Sequence, residues 1–173
     1  MKKVLFTALI LLFPFAVFGQ LKVGIMDPQI VLEAMPETEG VQAELDDYIQ
    51  GRQNVFQNSY ANWIEEITRY TEDVEAGNLT RQEREREEER LGQMEEELEA
   101  LQRRIQNQIQ QKQNELLNPL LIRIENTMEA IARQLDLDYV INKTASTGDP
   151  IVYYSSSRGV DITNRVIEEI KNN

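Results

Sequence analysis

Hydrophobic residues follow three different patterns along this chain, and each pattern predicts a different kind of structure. The first is a nearly unbroken apolar run from Val4 to Phe18. The second occupies the middle of the chain, where apolar residues recur every three or four positions in a strongly polar background. The third occurs on both sides of that middle, where short stretches alternate between apolar and polar residues. Steps of three and four predict amphipathic helices, and alternation predicts strands.

The first nineteen residues have the pattern of a secretory signal peptide. Two lysines precede the apolar run, and Val17 and Gly19 lie at the positions that a signal peptidase reads. The run is about fifteen residues long, shorter than the roughly 20 that a membrane-spanning helix needs, and Pro14 interrupts it. We therefore predict that residues 1–19 are a cleaved export signal and that Gln20 begins an exported chain without a membrane anchor. An uncleaved anchor is the alternative.

The middle of the chain predicts a long antiparallel helical hairpin, an arm formed by residues 41–116. Its two halves are rich in Glu, Gln, Arg and Leu, which are good helix formers, and they meet at a tip near residues 76–80. Gly77 ends the first helix, and Thr80 with Glu83 forms a capping box that starts the second. At 1.5 Å per residue, a forty-residue arm is roughly 60 Å long, with no core beyond the seam between its helices.

A hairpin with this tip fixes which residues face each other. The numbers of facing residues add up to about 156. Trp63 then faces residues 91–94, and Val55 and Phe56 face Leu98 and Leu101. A proline removes one helix hydrogen bond and bends the helix. We therefore predict a hinge at Pro119, where the second helix leaves the arm.

The two remaining parts of the chain, residues 20–40 and 117–173, predict one small body built from both ends. Alternation of apolar and polar residues predicts three strands, at residues 21–27, 137–141 and 151–154. Strands in the body and long helices in the arm together predict an α+β fold. The body has only about 75 residues, so its own core is marginal.

Two short helices complete the predicted body. One covers residues 28–35, and a closing helix at 162–171 is capped by Asp161. Pro36 and Gly40 mark the corner into the arm. Because the edges of so small a sheet need covering, we expect the body to oligomerise. The residues predicted to form the body core or the interface between chains are Val23, Ile25, Val140, Ile141, Ile151 and Val152.

Charge and missing residue types exclude several classes of function. The chain has 30 acidic and 18 basic residues, a net charge of −12; loss of two leader lysines leaves 16 basic residues and a net charge of −14. Such a surface is unsuited to nucleic acid. Cysteine and histidine are absent, which excludes disulfides, thiol nucleophiles, Ser-His-Asp triads and Cys/His zinc sites. We predict no catalytic residue, no metal site and no cofactor, and hence no enzyme.

The dense glutamates at residues 87–89 and 95–99 predict a solvated helix face. A calcium site is the alternative, but consecutive helical residues point in different directions, and the acidic loop typical of calcium sites is absent.

Apolar and aromatic residues on the first half of the arm are the candidates for binding other polypeptides. Residues 81–90, which face the upper part of this half, contain no apolar side chain. The upper residues therefore either pack on the aliphatic stems of arginine and glutamate, or they are offered to a partner. The six candidates are Phe56, Tyr60, Trp63, Ile67, Tyr70 and Val74.

With these elements in place, the whole mature chain resembles the Skp/OmpH family of periplasmic chaperones. The match is carried by residues 22–27, 30–32, 137–141 and 160–163. The resemblance implies a periplasmic, jellyfish-like homotrimer, in which a β-rich trimerisation body carries three helical arms around a cavity. It also implies the function of an ATP-independent holdase, which shelters unfolded outer-membrane proteins in that cavity and keeps them from aggregating during transit.

The charge of this chain departs from that pattern. The best-known member of the family is strongly basic, whereas residues 81–90 near the tip here carry four arginines against five glutamates. The resemblance is therefore not extended to lipopolysaccharide binding. A structural coiled-coil spacer or assembly adaptor of the cell envelope, with one fixed partner, is the alternative function.

Overall fold

The computed structural model describes residues 21–145, 147–156 and 158–172, and the predicted signal peptide lies outside these residues. Four helices and three short strands form the described chain. In chain order they are β1 (Val23–Met26), α1 (Pro28–Glu33), α2 (Glu37–Glu75), α3 (Arg81–Gln134), β2 (Tyr139–Asn142), β3 (Val160–Asp161) and α4 (Thr163–Asn172).

Helices α2 and α3 form the predicted hairpin, and the turn between them has the predicted chemistry. Gly77 adopts a φ of 69°, a left-handed conformation that glycine tolerates best and that ends α2. The Thr80 side chain accepts a hydrogen bond from the Glu83 backbone N–H, and the Glu83 side chain accepts one from the Thr80 backbone N–H. The predicted capping box is therefore confirmed.

The predicted register of the hairpin is also confirmed. Two interhelical ion pairs, Glu66 with Arg90 and Glu44 with Lys112, join residues whose numbers add up to 156. The seam between the helices is thin, because α2 has no buried residue along its 39 positions. In the part of α3 that lies before Pro119, only Leu91 and Ile105 are buried. The arm thus has no enclosed interior of its own.

Helix α3 runs through Pro119 without a break. Leu120 is buried in the body core, as are Ile124 and Ile131 further along the helix. One continuous helix therefore joins the arm to the body. Pro119 directly precedes Leu120, the first residue of α3 that is buried in the body core. The hinge at this position stays a prediction.

The body contains a three-stranded parallel sheet in the order β2-β1-β3. Gly24 in the central strand permits close packing, because a Cβ atom there would lie 2.7 Å from Leu137 Cδ1. Helices α1, α3 and α4 cover one face of the sheet. The buried cluster consists of Met26, Val31, Met35, Leu120, Ile124, Ile131, Ile162, Val166 and Ile170.

A buried hydrogen-bond network ties the strand ends to α1 and α4. Asp27 caps α1 by accepting from the backbone N–H groups of Gln29 and Ile30, at 3.1 and 3.3 Å. Its second carboxylate oxygen accepts from the Thr144 hydroxyl at 3.0 Å. The Asp27 backbone N–H donates to the Thr163 hydroxyl at 3.1 Å. Buried polar groups need such partners, so this network specifies how the ends of the chain meet.

The strand predicted at residues 151–154 is wrong. That segment is an irregular loop. The Ile151 N–H donates to the Lys143 carbonyl, and Tyr153 and Tyr154 are 87% and 84% exposed. The third strand is instead Val160–Asp161. The Ile162 N–H donates to the Ile25 carbonyl beside it, which anchors this short strand to β1.

The predicted corner at Gly40 is also wrong, because α2 already begins at Glu37 and includes Gly40. Both short helices differ slightly from prediction: α1 ends at Glu33, and α4 begins at Thr163, whose backbone N–H is capped by the Asp161 carboxylate.

The six residues predicted for the body core or interface divide between two environments. Ile25 is 8% exposed, and Val140 packs against the buried cluster. Val23 and Val152 are half-buried. Ile141 and Ile151 are 42% and 49% exposed, so as members of the chain's own core these two are wrong. Their role in an interface stays a prediction.

Candidate functional site

Three aromatic side chains form a ladder in the middle of the arm. Phe56, Tyr60 and Trp63 are spaced by four and three residues, which places them on neighbouring positions of one helix face. Ring centroids lie 6.3 Å apart for Phe56 and Tyr60, and 5.8 Å apart for Tyr60 and Trp63. Tyr60 is 47% exposed, whereas Phe56 and Trp63 are half-buried. The Trp63 indole N–H donates to the Leu91 carbonyl at 3.4 Å, which holds the ladder against α3.

Tyr60 and Ile64 form the exposed apolar pair of this region. They are four residues apart on α2, and their exposed fractions are 47% and 41%. Tyr60 also belongs to the aromatic ladder. The pair therefore offers an exposed surface, next to the other two rings, to apolar segments of other polypeptides. Ile64 was not among the candidates predicted from the sequence. Val55, predicted to face the seam, is 41% exposed.

A groove between α2 and α3 is lined in part by Trp63. Its volume is about 420 Å³. Space is left here because Ser59 and Ala100 are small residues close to the seam. The groove is lined by Ser59, Asn62, Trp63, Met94, Glu97, Leu98, Ala100, Leu101 and Arg104. We refer to it as the mid-arm groove.

Closer to the tip, polar side chains join the helices. The Arg90 guanidinium contacts the carboxylates of Glu66 at 2.5 Å and Glu87 at 2.8 Å. The Tyr70 hydroxyl donates to Glu88 at 2.6 Å. The hydrogen bond from Arg90 lowers the pKa of Glu66 below its ordinary value of 4.5. The hydrogen bond to Glu88 raises the pKa of Tyr70.

Part of the upper arm is covered by this network of polar side chains. Ile67, Tyr70 and Val74 are half-buried, and Tyr70 lines a small pocket together with Glu87 and Arg90 of α3. Of the six candidates only Tyr60 is exposed. The structure therefore favours the mid-arm over the tip as the place where apolar surface is accessible. The assignment of all six residues to client binding stays a prediction.

We predict that replacing Glu66 by Gln makes the stability of the arm less dependent on acidic pH. Because the folded-state pKa of Glu66 is lowered, its contribution is present above about pH 4.5 and is lost as pH falls through the folded value. Thermal unfolding followed by circular dichroism between pH 7 and pH 3 measures this. The wild-type melting temperature should fall more steeply on acidification than that of the variant.

The matched control is Glu65→Gln. Glu65 is the neighbouring glutamate. It pairs with Arg69, but the distance is 3.9 Å and 75% of the Glu65 side chain is exposed. Such a pair contributes little to stability. If both substitutions changed the acid dependence of the melting temperature equally, the role given to the Glu66–Arg90 pair would be contradicted.

The body carries a second exposed apolar surface, on the sheet face opposite the core. Val23 of β1 and Ile141 of β2 lie on this face together with Ile25, which pairs with Ile141 in the register of the sheet but is itself only 8% exposed. Together with Val152 and Tyr154 they line a concave region of about 730 Å³. An apolar sheet face of this kind is suited to packing against another protein surface.

Comparison with known proteins agrees with this architecture. The family model described as outer membrane protein (OmpH-like) matches residues 22–170, which include the arm and both segments of the body. No curated protein matches the chain. Within the part of the chain that the structure describes, no helix combines the length and apolar character needed to cross a membrane. The resemblance inferred from the sequence is confirmed: the chain belongs to the OmpH-like family, whose members are periplasmic proteins and act in general as chaperones of outer-membrane proteins.

Proposed function

We propose that this protein is an ATP-independent holdase of the periplasm, which binds unfolded outer-membrane proteins and prevents their aggregation during transit. The observation that carries the proposal is that the arm encloses almost no apolar core of its own. A helix of 39 residues with no buried side chain is not built to enclose a core. Its apolar residues, such as Tyr60 and Ile64, remain available to other chains. Family membership supports the choice of outer-membrane proteins as clients.

The proposal includes a homotrimer held together through the sheet faces of three bodies. Support comes from the apolar surface around Ile25 and Ile141, and from the small body, which gains from covering that surface. Three arms would then surround a cavity. Because clients contact several arms at once, weak individual contacts add up to long retention. No catalytic step is proposed for the chain, and delivery to the periplasm relies on residues 1–19 acting as a cleaved export signal.

An aggregation assay tests the proposal. Several unrelated unfolded β-barrel membrane proteins are diluted from urea into buffer with and without the mature chain, and light scattering is followed. We expect suppression of aggregation at about stoichiometric ratios for every client, without nucleotide. A spacer or adaptor with one fixed partner would suppress none of them, or one alone, and that result would contradict the proposal.

A further inference from the structure

The two walls of the mid-arm groove differ in charge. Residues 53–64 of α2, which supply one wall, contain no charged side chain. Residues 95–104 of α3, which supply the other, contain four glutamates and two arginines and so carry a net charge of −2. The charged side chains on the walls of the groove therefore come from α3, and the stretch of α2 that faces them supplies no compensating charge.

Three of these glutamates have no partner in the part of the chain that the structure describes. Glu99 pairs with Arg103 at 3.5 Å. Glu95, Glu96 and Glu97 are exposed and make no hydrogen bond or ion pair with any described residue. Glu97 lines the groove, and its two neighbours lie within the same turn, well inside the screening length of about 10 Å at 0.1 M salt. Glu97 thus places a free carboxylate at the end of the groove closer to the tip, and Glu95 and Glu96 add to the negative potential there.

The other end of the groove carries the opposite charge. Arg104 also lines it and makes no ion pair with any described residue. Arg104 lies seven positions after Glu97, which corresponds to about 10 Å along the helix axis. A cationic ligand group is therefore attracted to the tip-side end of the groove, where the carboxylates outnumber the single guanidinium.

The floor between these ends is apolar. Trp63, Met94, Leu98 and Leu101 supply it, and about 420 Å³ lies within the size range of sites that hold a small ligand. Such a volume accommodates a large apolar side chain in an extended polypeptide segment. Asn62 and Ser59 on the uncharged wall offer hydrogen bonds to its backbone.

We infer that the mid-arm groove selects client segments in which an aromatic or long aliphatic side chain lies next to lysine or arginine. The inference rests on the proposed holdase function and names the class of segment that the arm prefers. The apolar side chain fills the floor, and the cation lies beside Glu97. Segments flanked by glutamate are disfavoured, and the overall acidity of the chain acts in the same direction.

The single tryptophan of the chain provides a direct readout, because Trp63 lines the groove. Two peptides with blocked ends and the same central phenylalanine and leucine residues are compared, one flanked by lysines and one by glutamates. Each is titrated into the full mature protein while Trp63 fluorescence is recorded. At low salt we expect the lysine peptide to bind about fivefold more tightly or better, and the preference should shrink as salt is added.

The triple variant Glu95→Gln, Glu96→Gln, Glu97→Gln should reduce this preference to less than about twofold, as expected when nearby surface charges are removed. The matched control is Glu72→Gln, Glu75→Gln, Glu89→Gln, which removes the same charge from three exposed glutamates nearer the tip. The control should keep the preference. The inference would be overturned if the Glu95, Glu96 and Glu97 variant kept the preference for the lysine peptide, or if both variants lost it.

Equal binding of the two peptides by the wild-type protein, or binding of neither, would also overturn the inference. The aggregation assay is run in parallel with the same protein preparations. Suppression that persists while the peptide preference is absent refutes charge selection and leaves the holdase function standing. Absence of suppression in the wild-type protein refutes the holdase function itself.

Discussion

Replacing Ile131 by Ala should lower the free energy of unfolding by about 3 kcal/mol, within the 2–5 kcal/mol typical of such core truncations. Ile131 is 1% exposed and lies in the cluster that holds the sheet against α3 and α4. Truncation removes buried methyl groups and leaves a cavity that a small body cannot easily close. Because proteins of this size have only about 5–15 kcal/mol of stability, the effect is large.

Urea denaturation followed by circular dichroism measures the change, and an unaltered slope with a lower midpoint identifies it as lost stability. Ile122→Ala is the matched control: the residue type and helix are the same, but Ile122 is 56% exposed. We expect the control to cost less than about 1 kcal/mol. Equal costs at the two positions would show that the cluster around Ile131 is not what stabilises the body.

The second large effect concerns client binding. Replacing both Tyr60 and Ile64 by Ser should weaken the holding of unfolded clients by about thirtyfold, because each exposed apolar side chain contributes roughly 1 kcal/mol when a client covers it, and the two add up to roughly 2 kcal/mol. The same change should leave the melting temperature nearly unaltered, since neither residue is buried. The assay is suppression of client aggregation as a function of chaperone concentration.

Asn54→Ser with Asn58→Ser is the control for this pair. Both asparagines are exposed, lie on the same helix and have the same four-residue spacing. This control should hold clients as well as the wild-type protein does. An equal loss in both variants, or none in the first, would rule out the exposed apolar pair as a client contact.

The arm could be predicted from the sequence because its determinants are local. Helical periodicity, the glycine at position 77 and the Thr80–Glu83 capping box all act within a few residues, and together they fix the tip and hence the register. The body was harder to predict. Its third strand has two residues, and pairing of Val160 with Gly24 depends on a contact across most of the chain.

The candidate site was predicted only in part, for a related reason. Periodicity identifies an apolar residue but does not say whether the partner helix covers it. Tyr60 was identified and is exposed, whereas Ile64 was overlooked and Tyr70 proved to be engaged by Glu88. The mid-arm groove depends on Ser59 and Ala100 being small beside Trp63. Such a gap follows from side-chain volumes across two helices, which a single-helix pattern does not contain.

Photo-cross-linking from the arm tests the central claim most directly, namely that the arm exists to contact unfolded clients. A photoreactive amino acid is placed at Tyr60, and at Asp136 in the body as a control, since 93% of the Asp136 side chain is exposed. Each protein is mixed with several unfolded outer-membrane proteins and irradiated. We expect position 60 to cross-link to every client and position 136 to give at most weak products. Cross-links to no client from position 60, or equal yields from both positions, would contradict the account.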